Sequence, residues 1–487
     1  MSIPRAFKLS LFGLSVSFGL CYAKEKPNIV WLFSDDHAVN AIDAYGGRLK
    51  DENITPNLNA LAAEGMIFER AYVANSLCAP SRATLLTGKH SHINGKLSNS
   101  GRFNHDQNQF QKVIKKAGYQ TAIVGKIHLK GALQGFDYWE VFPGQGEYEN
   151  PSFETNDGEK AYQGHSSDII VDLALDWLES GRDERPFMLM VHFKAPHHDW
   201  MPAARNIEEF KDRTFPEPDS LFDDYSGRGA AARSQHMSIE KAMPLDFLKV
   251  NEPEFSYRAE DFESKERTGR ELVSWKYQAY MRDYLACVAG IDQNIGRMLR
   301  YLEEHGLEEN TIVMYSSDQG FYLGEHGWYD KRFMYEESFR TPLIARWPGK
   351  IEAGSKNSDL VQNIDFAETF LDLAGAPIPD DMQGVSLLPL LKGKTPDNWR
   401  TSLYYHYYEP PRGFHKVFTH EGVSTKRYKL IRFYGQGVPN GEEWELYDLV
   451  KDPSEMKSEY DNPEYNNVIE TLKSELTKLK KKYKEES

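Results

Sequence analysis

The chain has 487 residues, a formal net charge of −15, 40% hydrophobic residues and 27% charged residues. That length supplies a large core and room for two or three domains, and the acidic balance excludes non-specific binding to nucleic acid or to an anionic membrane. Three cysteines in so long a chain exclude a disulfide scaffold.

Residues 1–23 read as a leader. Arg5 and Lys8 give a positive start, residues 9–20 are a short apolar run, and Cys21-Tyr22-Ala23 precedes a polar Lys24-Glu25-Lys26. That is the order of a secretory signal peptide, and the apolar run is too short to span a bilayer. Cleavage after Ala23 is expected in preference to lipidation at Cys21, because bulky Leu20 stands just before that cysteine. The expectation is an exported chain, periplasmic or secreted, with no membrane span. Two cysteines then remain, Cys78 and Cys287. Cys287 is expected as a buried core thiol on a helix over 280–299.

Residues 28–33 are a continuous apolar run ending in Ser34-Asp35-Asp36-His37, a buried strand with acids at its end. Thr55-Pro56 opens an amphipathic helix through Leu58, Leu61 and Ala62. Residues 110–117 are helical in pattern, and the strand over 119–124 ends in Gly125-Lys126-Ile127-His128. Residues 169–178 are helical, and the strand over 187–193 ends in Ala195-Pro196-His197-His198. A long helix or helix pair over 275–304 precedes a strand over 311–315 that ends in Ser317-Asp318-Gln319-Gly320. Helices alternating with short apolar strands predict an α/β fold with a largely parallel sheet. Ligands gather at the carboxyl ends of such strands, so the four polar clusters are expected to converge.

Residues 201–270 are polar and poorly periodic and read as a surface insertion, a candidate wall of a substrate cleft. After about Gly393 the texture changes to short strands at 402–408, 422–424, 428–434 and 445–449, then a Lys/Glu-rich helix over 467–483. This predicts a catalytic domain over 24–393 and a small antiparallel α+β subdomain over 394–487.

Asp35, Asp36, Asp318 and Gln319 offer hard oxygen donors at two strand ends, a set suited to Ca²⁺ or Mg²⁺ and not to Zn²⁺. Taken singly, each pair reads equally as a solvated turn or helix cap. The string Cys78-Ala79-Pro80-Ser81-Arg82, running on to Gly88, is more specific. It resembles the signature of type I sulfatases, and six motifs of that family occur in order between about residues 26 and 391. The resemblance implies an alkaline-phosphatase-like sandwich, with a large mixed, mainly parallel sheet flanked by helices. It implies that a formylglycine-generating maturase converts Cys78 to formylglycine (3-oxoalanine), the nucleophile. It further implies one Ca²⁺ held by Asp35, Asp36, Asp318, Gln319 and the modified Cys78, with Gln319 standing where Asn or His is commoner. Arg82 and Lys126 would orient the nucleophile, His128 would assist sulfate release, and Asp318 would take the nucleophile's proton. His197, with His198 as the competing assignment and Lys331 as its aid, would protonate the leaving group.

The segments Asn75–Cys78, Gly135–Trp139 and Asp318–Gly327 resemble bacterial polysaccharide-degrading sulfatases. That branch implies a sulfated saccharide, of the glycosaminoglycan type or algal such as ulvan or carrageenan. Arg102, His165, His406, Arg412, His415 and His420 are candidate sugar contacts, and each reads equally as a surface or packing residue. Tyr404, Tyr405, Tyr407 and Tyr408 either stack on sugars or fill the two faces of a strand. Two other readings stand beside the sulfatase: a phosphodiesterase or phosphonate hydrolase of the same superfamily, and a non-catalytic saccharide-binding protein.

Overall fold

The computed structural model describes residues 26–485, so the expected leader lies outside the described residues. A ten-stranded sheet runs in the order Ser355–Asn357, Met66–Phe68, Leu343–Arg346, Thr311–Ser317, Asn28–Ser34, Phe187–His192, Gln120–Gly125, Tyr138–Val141, Ser152–Thr155, Gly158–Ala161. The four strands that carry the polar clusters are adjacent and mutually parallel. Antiparallel pairs appear only toward the margins. The fold is the expected alkaline-phosphatase-like α/β architecture.

The strand Asn28–Ser34 is buried along its whole length because both faces are covered. Val30 and Leu32 pack under the helices Gly269–Glu304, Ser166–Asp176 and Pro56–Ala63. Ile29, Trp31 and Phe33 pack on the opposite side under Cys78–Thr87, Phe110–Lys116 and Asp365–Leu373. The region over 275–304 is one helix, Gly269–Glu304, not a pair. Cys287 lies buried within it with a free thiol, as expected.

The 201–270 segment departs from expectation. It forms the short helices Ala204–Phe210, Ala230–Ser234 and Ser256–Glu263, and it buries Phe210, Phe215, Met237, Ile239 and Leu248. Its polarity hid a contribution to the core, because the apolar residues are spaced for anchoring loops and not for a regular face.

A second, antiparallel sheet joins Ser402–Tyr407, His420–Thr425, Tyr428–Tyr434 and Glu442–Asp448. One face, with Tyr404, Val423 and Leu430, packs on the helix Asn466–Tyr483. The other, with Tyr405, Tyr407, Ile431 and Phe433, packs on Tyr322, Trp328 and Phe333 of the larger lobe. The tyrosine run therefore fills the two faces of a strand. No helix among the described residues is long and apolar enough to cross a membrane.

Candidate active site

The helix Cys78–Thr87 begins at Cys78, and all ten of its residues are buried. Pro80 falls in the first turn, where a missing N–H costs no helical hydrogen bond. Leu77 offers no side-chain cap, and the amide of Ala79 instead donates to Asn99 Oδ1 at 3.0 Å. The tyrosine hydroxyl of Tyr405 accepts from the Ser76 amide at 3.2 Å, so the C-terminal sheet also steadies the entry to this helix.

Close backbone approach explains two of the glycines. A Cβ on Gly125, which has φ of +100°, would lie 1.9 Å from the His192 carbonyl oxygen. A Cβ on Gly320 would lie 2.1 Å from the Glu337 carbonyl oxygen. A larger residue at 125 would push apart the strand ends beside Lys126, and one at 320 would push the Gln319 segment off the helical turn Glu336–Phe339. Asp36 and His128 adopt left-handed backbone, with φ of +68° and +53°, as do Asp330 and Arg332 on either side of Lys331. Such backbone is uncommon for non-glycine residues, and these four lie in or beside the site.

These elements bring ten predicted residues into one buried cluster. Cys78 Sγ lies 3.5 Å from Asp35 Oδ1, 3.4 Å from Lys331 Nζ and 3.6 Å from Gln319 Nε2. Lys331 Nζ donates to both oxygens of Asp36 at 2.6 Å. Lys126 Nζ pairs with Asp35 Oδ2. The guanidinium of Arg82 donates from Nε to Asp318 Oδ2 at 3.0 Å, from Nη2 to Asp35 Oδ2 at 3.1 Å, and from Nη1 to the Lys126 carbonyl at 2.6 Å. His197 Nε2 lies 3.9 Å from Asp36 Oδ2, and its Nδ1 bonds the His198 carbonyl at 2.7 Å. That bond makes Nδ1 the protonated nitrogen and leaves Nε2 facing the cluster. His128 is half-buried beside Lys126, and its buried Nδ1 has no partner among the described residues.

Burial and the Asp35 carboxylate push the Cys78 thiol well above its ordinary range. A thiolate among three carboxylates is disfavoured, so an unmodified Cys78 would be a poor nucleophile here. Burial works against the charge of Asp35, but Lys126 and Arg82 hold its carboxyl well below the usual range. Burial, with the charges of Asp35 and Asp36, pushes Asp318 up to about 7. Burial drives His128 down to about 3, assisted by the Lys126 charge, and likewise pushes His197 well down.

The donor set fits a divalent cation. One oxygen each from Asp35, Asp36 and Asp318 lies within 4.8 Å of the others, all fully buried. Gln319 Oε1 is buried with no hydrogen-bond partner, while its amide nitrogen faces Asp36. An orphaned carbonyl oxygen beside mutually repelling carboxylates is the arrangement a hard cation relieves. With all three carboxylates ionised, Arg82, Lys126 and Lys331 match them in charge, so a divalent ion would leave the pocket net positive. An anionic substrate could then be held inside an acidic protein.

The predicted sugar contacts divide. His415 reaches the site's mouth, with Nδ1 3.4 Å from Asp330 Oδ2, and lines a cleft of about 190 Å³ with His198, Trp200, Phe247, Tyr329 and Asp330. His198 stacks on His197 with ring centres 4.4 Å apart, but it is only half-buried and is paired with Asp199. Of the two adjacent histidines, only His197 faces the carboxylates. Arg102 is exposed on the loop whose Asn99 caps the Cys78 helix, and Arg412 is exposed with only Gln436 at 3.4 Å. The other three are engaged by the surrounding fold. His165 caps the helix Ser166–Asp176 and bonds the Met201 carbonyl at 3.0 Å. His406 is bonded by Tyr404 at 3.0 Å and Tyr434 at 2.6 Å. His420 is fully buried between Tyr405, Tyr407 and Phe433. In each case a ring nitrogen or a ring face is engaged by neighbouring residues of the fold.

The sequence reading passed over Asp330 and Arg332, which bracket Lys331 and bond each other at 2.8 Å. Burial opposes the charge of Asp330, but Arg332, His415 and Lys331 hold its carboxyl far below the usual range, so it faces the cleft ionised. Adjacency to Lys331 was the available signal.

Residues 27–376 match the family model Sulfatase, and residues 324–482 match the model for the C-terminal part of N-sulphoglucosamine sulphohydrolase. The chain is 44% identical over 521 residues to the N-acetylglucosamine-6-O-sulfatase of Bacteroides thetaiotaomicron, covering 99% of this chain and 92% of that protein. It is 28% identical to an ulvan-active sulfatase of Formosa agariphila over 94% of this chain and 81% of that one. The solved structure of a protein in complex with its substrate D-glucosamine-2-N,6-O-disulfate superposes with a TM-score of 0.90 at 45% identity, covering 95% of this chain and 99% of that chain. The match runs through the large lobe, the buried cluster and the C-terminal sheet alike, and the chain belongs to the sulfatase family, the sulfuric ester hydrolases.

Proposed function

We propose that this protein is an exported carbohydrate sulfatase that removes the 6-sulfate from glucosamine units of glycosaminoglycan-type saccharides. The carrying observation is the 44% identity over 99% of the chain to an N-acetylglucosamine-6-O-sulfatase. The 45% identical structure with a 6-sulfated glucosamine as its substrate supports the same sugar. The small cleft next to Lys331, aromatic on one side and carrying ionised Asp330 on the other, suits a single sugar ring with hydroxyls to recognise.

In this reading a maturase converts Cys78 to formylglycine, whose hydrate supplies two hydroxyls on one carbon, one to attack sulfur and one to drive sulfate release. Asp35, Asp36, Asp318 and Gln319 would hold a Ca²⁺, which would supply Lewis-acid polarisation of the sulfate. The chain's own residues do the rest. Lys126 and Lys331 bring positive charge to the sulfate from two sides, and Arg82 fixes the carboxylates of Asp35 and Asp318 beneath residue 78. Such preorganised charge stabilises the transferring group without reorganisation. Asp318 accepts the proton of the attacking hydroxyl. His197 holds its resting proton on Nδ1 and presents Nε2 to the pocket. The negative charge of bound sulfate raises the proton affinity of Nε2, so that the ring takes up a proton from solvent as substrate binds and passes it to the departing sugar oxygen. His128, kept neutral by burial and Lys126, is placed to accept a proton during sulfate release.

The test is sulfate release from a panel of defined sugars by protein made together with a maturase. The proposal expects turnover of 6-sulfated N-acetylglucosamine. It expects none of 4-sulfated galactosamine, 2-sulfated uronate or a phosphonate monoester. Preference for any of the last three would overturn it.

A further inference from the structure

From the proposed acid, a line of aromatic rings leads out of the pocket. His198 stacks on His197 at 4.4 Å and 28°, Phe247 stacks on His198 at 5.6 Å and 18°, and Phe414 follows Phe247 at 6.5 Å and 43°. The last two rings come from separate segments. Phe247 lies in the turn Leu245–Leu248 of the long insertion, and Phe414 follows Gly413 (φ +74°) in the C-terminal part of the chain. Phe414 is 48% exposed, whereas the aromatic rings deeper in the same cleft, Trp200 and Tyr329, are buried.

An exposed phenylalanine at a cleft mouth costs apolar surface left in water, about 25 cal/mol per Å². The cleft itself, about 190 Å³, is smaller than the roughly 300–1,000 Å³ that encloses a drug-sized ligand. It holds one sugar ring. A second ring attached to the first must lie at the mouth, where Phe414 stands. Sugars present apolar C–H faces, and an aromatic face is the surface that covers them while leaving the hydroxyl edges in water.

We infer that Phe414, backed by Phe247, is a stacking platform for the sugar next to the one bearing the scissile sulfate. The protein is thereby built for oligosaccharides in preference to the free sulfated monosaccharide. This inference rests on the reading of the protein as a glucosamine 6-sulfatase.

The experiment compares kcat/KM of the parent enzyme, Phe414→Ala and Phe414→Trp on two substrates. One is 6-sulfated N-acetylglucosamine; the other is a disaccharide carrying that sugar at its non-reducing end. The platform predicts that Phe414→Ala lowers kcat/KM for the disaccharide about fivefold more than for the monosaccharide, the factor that corresponds to one aromatic contact of about 1 kcal/mol. The loss should fall in KM, and Phe414→Trp should restore it. Equal effects on both substrates, or none on either, would overturn the platform while leaving the function standing. Failure of the parent enzyme to release sulfate from either sugar would overturn the functional reading, and the platform with it.

Discussion

Lys331 is the residue whose removal best separates a cation-binding pocket from a purely structural ion cluster. Its ammonium donates to both oxygens of Asp36 at 2.6 Å, with the lysine 2% exposed and the aspartate fully buried. Burial opposes the lysine's charge, but Asp36 more than offsets it and raises its proton affinity well above the ordinary value. In Lys331→Met the carboxylate of Asp36 keeps only the amide of Gln319 and neighbouring dipoles. Removing one partner of a buried ion pair costs about 3–5 kcal/mol, because the other is left uncompensated. If Asp36 also binds a divalent cation, that cation restores a positive partner and the cost shrinks. The expected result is a melting-temperature drop of roughly 5 °C or more in chelator, and less than half that drop with millimolar Ca²⁺. Turnover should fall about 10²–10³-fold even with the cation present, as when one donor to a developing charge is lost. Scanning calorimetry with and without chelator, paired with sulfate release, reads both effects. Equal destabilisation in the two conditions would refute the shared role of Asp36.

Further outcomes follow from the same site and fold. Cys78→Ala should abolish turnover while leaving the circular dichroism spectrum and melting temperature close to those of the parent, since the side chain fills little volume. Asp318→Asn should reduce both Ca²⁺ affinity, by calorimetric titration, and activity by more than the about 10–100-fold that a change outside the ligand shell costs. His420 illustrates a pH effect with a clear sign. Burial holds its folded-state pKa near 3, against 6.5 for the free residue. Between those values the unfolded chain binds a proton that the native state does not, so stability falls as pH drops below about 6.5. At about pH 4.5 this one residue costs on the order of 3 kcal/mol, and His420→Phe should flatten the acid slope of the urea midpoint by about one proton. His406→Gln should lower stability by about 1–2 kcal/mol through its lost hydrogen bonds, with KM unchanged; a raised KM would return His406 to the sugar site.

The α/β layering was legible because each central strand reads as a continuous apolar run ending in a polar cluster. Asn28–Ser34 and Thr311–Ser317 fall within a few residues of their expected bounds. Short marginal strands such as Met66–Phe68 and Leu343–Arg346 were missed, because three or four residues carry no periodicity that separates them from a loop. In the site, residues that must be charged or oxygen-bearing at a strand end were readable from type and place, and the structure brings them together. The sugar contacts were not. Histidine is equally at home in a ligand pocket and in an aromatic core, and His420 sits among rings that come from three different segments. Which histidine meets solvent is decided by pairing between distant strands, and one-dimensional pattern does not hold it. Asp330 was hidden for the opposite reason: acids are common, and only its place beside Lys331 and its left-handed backbone distinguish it.

The most direct test of the account is the chemical state of residue 78 in active protein made with a maturase. The peptide containing Cys78 should weigh about 18 Da less than its unmodified form, or regain that mass as the hydrate, and should form an oxime with hydroxylamine. It should not react with a thiol alkylating reagent. A peptide that alkylates fully as a free cysteine, from protein that still releases sulfate and with the maturase shown to act on a control, would contradict the proposed nucleophile outright.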